Sequence, residues 1–194
     1  MDLLLDLLQG LGIAAAIGIR PLLPTLLAGA LAAENLGLDF SGTDFAFLER
    51  WPFLLAALLV GIGIELIRRR SDQPDRGALG WGLLAIAAAL GALEAAGSLA
   101  DRDHPWAIGA IGGVLAAALG YFAARSLFGR VRRRLDREAA GALPAYAEGA
   151  ALLAAGASIL FPPLALLVIA GLAWLLAGGR RRAGEKYAGL RILR

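Results

Sequence analysis

The sequence predicts an all-α polytopic membrane protein, with three spanning helices between two longer terminal segments that proline breaks near their midpoints. Three observations predict it. Of the 194 residues, 59% are hydrophobic and 18% charged, against roughly 45–50% and about 25% in soluble domains. The apolar residues gather into five runs, 3–32, 52–67, 79–99, 105–128 and 149–177, near or above the roughly 18 residues that a span requires. The first and last runs are too long for one crossing, and each carries a proline pair.

The first run holds "GIRPLLPTLLAG" (Gly18 to Gly29), in which Arg20, Pro21 and Pro24 interrupt apolar sequence. As one straight helix, 30 residues would measure about 45 Å, whereas the hydrocarbon core is only about 30 Å thick. Pro21 disfavours helical geometry at Arg20, and each proline deletes a backbone donor. We read 3–32 as a re-entrant hairpin entering from outside. Met1 and the loop 33–50, which carries Glu34, Asp39, Asp44 and Glu49 against Arg50, are then left on that side.

Runs 52–67, 79–99 and 105–128 are ordinary spanning lengths. Gly109 and Gly113 form one GxxxG, a spacing that lets helix backbones approach closely. We assign it to packing within the monomer, the alternative being a dimer seam. The last run, 149–177, contains Phe161-Pro162-Pro163. Its layout resembles that of the first run, as an Ala/Gly-rich lead, a proline pair and a Leu-rich stretch. A duplicated element explains this, and so does low complexity.

Charge decides the threading. Four of the 19 Lys and Arg lie in 68–78, five in 130–137 and six in the tail 178–194. Cytoplasmic flanks are enriched in such cations, so all three segments are expected in the cytoplasm. That requires 149–177 to enter and return as a second re-entrant hairpin, with its tip near Pro162-Pro163, from the face opposite to the first. The alternative is five plain crossings with the tail exported. No cleavage site follows an h-region, so no removable signal peptide is expected, and 1–194 reads as one integral membrane domain.

Catalytic chemistry is not expected. Cysteine is absent and His104 is the one histidine, so no cysteine or two-histidine metal site and no thiol nucleophile can be assembled. "DRDH" (Asp101 to His104) reads as a solvated turn ahead of a loose cation site. No HExxH, GxSxG, P-loop or GxGxxG-plus-strand is present. We expect no enzyme, no metal and no cofactor. The excess of basic residues, a net charge of +3, is read as orientation and as contact with anionic lipid head groups rather than as nucleic-acid binding.

Arg20 is the candidate site. A charge near the bilayer centre costs about 2.5–3.5 kcal/mol on insertion scales, so it faces a cavity or a partner. Pro21 suits the first turn of a half-helix, whose free N–H groups would converge with the guanidinium on an anion. Such discontinuous helices build transporter sites. Pro24 belongs to the same break, and Pro162, Pro163 and Ser158 would face it from a second half-helix. The competing reading pairs Arg20 with Glu94 or Glu65 as a packing device. Glu94 is either a proton-coupling carboxylate or an interfacial cap. Glu65 is a coupling carboxylate or an i,i+3 partner of Arg68, and Glu148 reads as a charge at the start of the last helix.

"GIRPLLPTLLAG", "LEAAGSLADRDHPW" and "EKYAGLRILR" together resemble the bacterial domain-of-unknown-function family 4126, small integral membrane proteins, over essentially the whole chain. The first motif is similar to that family's Gly-x-Arg-x-x-x-Pro, carried here by Gly18, Arg20 and Pro24. The resemblance implies a multi-pass protein of the bacterial cytoplasmic (inner) membrane and assigns no site. "PLLPTLLAG" and "FPPLALLVIAG" are also similar in layout to the hairpin tips of DedA-type lipid transporters, without the acidic residue that follows the prolines there. The function expected is a small transporter or scramblase-like protein for an anionic substrate, a phospholipid or polyprenyl phosphate head group. The alternative is a non-transporting scaffold that meets a second copy of itself or another envelope protein.

Overall fold

Proline and capping chemistry set the helix boundaries. In the computed structural model, which describes residues 2–70, 77–102, 104–132 and 134–188, the helices are α1 (Asp2–Ile19), α2 (Leu22–Ala33), α3 (Trp51–Arg70), α4 (Gly77–Ala100), α5 (Trp106–Arg132), α6 (Arg137–Leu160) and α7 (Leu164–Ala188). Residues 71–76 of the expected cytoplasmic stretch, Asp103 of the DRDH turn, Arg133 and the end of the tail lie outside the described residues. No strand occurs among the described residues.

α1 stops where Pro21 has no N–H to give the Ile17 carbonyl. The Arg20 N–H still donates to the Ala16 carbonyl (3.1 Å), closing the last turn. α2 ends in a left-handed residue, Asn35 (φ 55°). Asn35 and Leu36 N–H groups return to the Ala32 and Leu31 carbonyls at 2.9 and 2.8 Å, the 5→2 and 6→1 bonds of a Schellman motif. Asp136 caps α6 by accepting from the Ala139 N–H at 2.8 Å, as N-cap carboxylates do. α6 stops at Phe161 (φ −144°, ψ 84°), ahead of the two prolines.

The helices assemble around α1. Ala14, Ala15, Ala16 and Ile17 have no solvent exposure, because α4, α5, α6 and α7 all pack on this one helix. A helix apolar on every face belongs in the interior. Small residues make the approach close. A Cβ added at Gly18 would collide with the Ala117 carbonyl of α5, and one at Gly113 with the Gly91 carbonyl of α4. Gly109 likewise sits on the Ala95 carbonyl of α4. The GxxxG therefore serves packing within the monomer.

The contacts give the directions. α1 runs against α4 (Gly10 on Ala95) and along α5 (Leu11 on Gly112, Ala15 on Gly120). It runs against α6, with Gln9 at Ile159 and Arg20 at Glu148. α2 turns back from the Arg20-Pro21 bend, and Gly29 reaches Leu48 and Leu54. α1 and α2 thus form a hairpin that starts and finishes at the loop end of the bundle. α7 descends from Ala165 beside Gly12 to Trp174 and Gly178 beside Arg130 and Arg134. The bundle has a loop end, holding residues 34–50, and an arginine-rich end.

Four described helices, not the expected three, are long and apolar enough to cross a membrane: Trp51–Arg68, Gly77–Ala100, Trp106–Arg132 and Ala139–Leu160. The fourth corrects the reading of the last run. The helix begins at Arg137 rather than 149 because Asp136 caps it and Pro144 is accommodated inside it. The charges and that proline masked this first stretch as polar loop. α6 and α7 do return the chain to the arginine-rich end. Their turn at Phe161-Pro162-Pro163 lies at the level of Gln9 and Gly12, toward the loop end, not near the middle of the bundle.

Candidate functional site

The hairpin tip stops short of the arginine-rich end. Beyond Gly120, which lies level with the tip, α5 continues to Arg132, about 18 Å at 1.5 Å per residue. Neither α1 nor α2 fills the space beneath, and a cleft of about 60 Å³ opens there. Pro21 and Pro24 create the tip, since both Ile17 and Arg20 carbonyls lose the N–H that a continuous helix would supply. Thr25 Oγ1 donates to the Pro21 carbonyl at 2.7 Å and locks the first turn of α2. Gly18 lets α5 approach closely just before the bend.

Arg20, 8% exposed, roofs the cleft. Its Nε lies 3.5 Å from Glu148 Oε1 of α6. Arg68 of α3 and Arg125 and Arg132 of α5 also line the cleft. Arg68 and Glu65 are within electrostatic range of Glu148. Tyr121 lines the same cleft and donates its hydroxyl to the Gly80 carbonyl at 2.7 Å, tying α5 to α4. Leu83, Phe128 and Leu143 supply apolar walls. Four guanidinium groups from two helices and one bend thus surround a small cleft, with Glu148 and Glu65 as near acids among the described residues. Chemically, such a site suits a phosphate or carboxylate, which guanidinium forks grip through paired N–H donors.

The residues expected to act together are divided by the fold. Arg20 and Pro21 line the cleft, and Pro24 is buried one turn into α2. Ser158, Pro162 and Pro163 lie about two turns or more along α1 from the bend, at the level of Gln9 and Gly12. Ser158 Oγ donates to its own helix, to the Ala154 carbonyl at 2.7 Å, and packs on Gly12. Gln9 Nε2 donates to the Ile159 carbonyl at 3.0 Å and the Gly37 carbonyl at 2.7 Å. Ile159 is the residue whose carbonyl Pro163 cannot serve, so the second break is satisfied from α1.

The carboxylates are also rearranged. Arg20 pairs with Glu148, which lies in the middle of α6 because that helix starts early. Glu94 is on α4, well above Leu83, which is the α4 residue at the cleft. It is fully buried, with no hydrogen-bond partner for either oxygen among the described residues, so it is not an interfacial cap. Sequence reasoning missed Glu148 as a partner, and Arg68, Tyr121, Arg125 and Arg132 as lining groups. Only the register of α3, α5 and α6 against the hairpin brings them together.

A second polar cluster closes the loop end. Asp6, 2% exposed, meets Arg102 Nη1 at 3.3 Å and His104 Nε2 at 3.6 Å. His104 is therefore part of an ion-pair cluster and not merely a solvated turn. Partial burial, then the neighbouring Asp39, pushes the Asp101 carboxyl up from its ordinary range. Asp39 itself is held down by hydrogen bonds from the Ser41 hydroxyl and N–H. Comparison with protein-family models, with curated proteins and with solved structures gives no match, so any assignment rests on the site.

Proposed function

We propose that this chain is a small membrane transporter or scramblase-like protein that handles anionic, phosphate-bearing substrates at the Arg20 cleft. The observation that carries the reading is the convergence of Arg20, Arg68, Arg125 and Arg132 on one cleft beneath the hairpin tip. Buried arginine in a membrane protein is costly and marks a pathway or a partner. Arg20 is the buried one of the four, Arg68 is half-buried and Arg125 and Arg132 are exposed, so the guanidinium groups run from the buried roof of the cleft out to solvent. In this reading α1–α2 is re-entrant from the outer side. The arginine-rich end is cytoplasmic, as the distribution of Lys and Arg requires.

The scaffold reading has one observation in its favour, the Arg20–Glu148 pair at 3.5 Å. Three variants separate the readings. Under transport, flux falls in the order wild type, Arg20→Lys, Arg20→Ala, because lysine keeps the charge and loses the fork, while the melting temperature moves little. Under the scaffold reading, Arg20→Ala strands the part-buried Glu148 and lowers the melting temperature, and Glu148→Gln restores it. Reconstituted vesicles carry two arms, translocation of fluorescent phosphatidylglycerol and uptake of inorganic phosphate. The first reports a lipid head group and the second a free anion. No flux in either arm, with stability rescued by the double variant, rejects transport.

A further inference from the structure

Glu94 is the group for which the cleft supplies no use. It stands inside α4, six residues before the helix end, with no exposed surface and no hydrogen-bond partner for either oxygen among the described residues. α4 packs against α5, α1 and, at one edge, α2, while Phe40 and Phe45 of the loop cover Gly97. The charged or titratable groups that these elements carry are Asp2 and Asp6 of α1, Arg20 at the bend, and Tyr121, Arg125, Arg130 and Arg132 of α5, of which Arg130 lies on the α7 side. The loop adds Asp39, Asp44 and Glu49, and α2 has none. None of them bonds Glu94. A carboxyl in such a place is tolerable as the neutral acid and very costly as an anion.

The surroundings of Glu94 connect it in two directions. One turn toward the loop end, on the same helix face, Ser98 is 2% exposed and its Oγ donates to the Asp6 carbonyl at 3.2 Å. Asp6 in turn meets His104 and the half-exposed Arg102. These groups form a polar column from solvent at the loop end down to the turn above Glu94. In the other direction lies the α1–α4 seam. Gly91, about one turn before Glu94, and Ala95, next to it, contact Ala14 and Gly10 of α1. α1 is continuous from there to Ile19 and carries Arg20 at its end.

We propose that Glu94 is a proton-binding site that sets how the α1–α2 hairpin seats, and thereby controls the Arg20 cleft from the loop end. With its proton, the carboxyl is compatible with the dry, close seam. When it gives the proton to water entering from the loop end beside Ser98, the carboxylate needs that water to stay, and the seam must open. Displacement of α1 at Gly10–Ala14 then moves the tip. The flux consequence rests on the transport reading above, whereas the consequences for stability and protonation do not.

The test uses the full chain in vesicles and nanodiscs, comparing wild type with Glu94→Gln, which mimics the neutral acid. Infrared difference spectra at low pH are expected to contain a protonated-carboxyl band that Glu94→Gln removes. The melting temperature of the wild type is expected to fall as pH rises, because the folded state holds a proton that the unfolded state gives up. That fall should be absent or much smaller in the variant. Translocation of fluorescent phosphatidylglycerol is expected to rise with loop-side pH, by up to about tenfold per pH unit for one proton. Glu94→Gln should stay at the low-pH wild-type rate throughout. A second variant, Ser98→Ala, is expected to slow deuterium exchange of the carboxyl band, which keeps the proposal testable if Glu94→Gln does not fold. No Glu94-dependent band, or identical melting profiles in wild type and Glu94→Gln, overturns the proposal. Absence of both lipid movement and phosphate uptake at every pH counts against the transport reading, and the infrared and melting arms still decide Glu94.

Discussion

Gln9 joins three parts of the chain that would otherwise carry unsatisfied backbone. Its amide serves the Ile159 carbonyl left free by Pro163 and the Gly37 carbonyl of the loop, from a position 4% exposed. Gln9→Ala is expected to destabilise by about 1–3 kcal/mol, because the buried Ile159 carbonyl loses its donor along with the part-buried Gly37 carbonyl, read as a shift in unfolding midpoint in detergent. Unchanged stability would mean that water replaces the amide. At the loop end, Asp101→Asn is expected to raise the melting temperature near neutral pH. Its carboxyl is raised chiefly by burial and then by Asp39, with Arg102 opposing them and Asp6 and Glu49 adding less. A raised acid favours the folded state at low pH and loses that contribution as pH rises through its folded-state range. The gain from the substitution should therefore shrink on acidification. Such roles were only partly legible in the sequence. Arg20 announced itself as a charge beside prolines, but nothing local pointed to Gln9, whose two acceptors lie 28 and 150 residues away.

The helices show why breaks were readable and partners were not. Pro21 and Pro162-Pro163 act through covalent chemistry, so Arg20 and Phe161 leave the helix where expected. The start of α6 depends on an Asp136 cap and on tolerance of Pro144. A hydropathy window cannot weigh either of these against Arg137, Glu138 and Glu148. That error of register hid Glu148, the ion-pair partner of Arg20, by placing it at a helix start. The seams between helices rest on missing side chains. At Gly113 an added Cβ would meet the Gly91 carbonyl and come within 2.9 Å of the Ala95 Cβ. Gly113→Ala is expected to cost about 1–3 kcal/mol by overpacking the α4–α5 seam, whereas Gly129→Ala, which meets nothing within 4 Å, should be neutral or stabilising. Equal effects at the two positions would argue against this seam.

Across the whole molecule, the charge distribution and the hairpin make one topological statement. Leu3 and Ser41 belong to the loop end, and Gly129 to the arginine-rich end. The natural chain contains no cysteine, so single cysteines at these positions can be labelled without background. Leu3→Cys and Ser41→Cys are expected to react with an impermeant reagent from the same side, and Gly129→Cys from the other. Labelling of Leu3→Cys together with Gly129→Cys would contradict the hairpin. The central claim, however, is that the space beneath the tip is an anion-selective cleft open from the arginine-rich end. Phe128→Cys tests it most directly, since this side chain lines the cleft with Arg20 and Arg125. A wall of guanidinium groups concentrates anions, by about tenfold or more in focused clefts. A negatively charged thiosulfonate is therefore expected to modify Phe128→Cys faster than a positively charged one of similar size, by about that factor, with Arg20→Ala reducing the ratio. Equal rates, or a faster cation, would contradict the account.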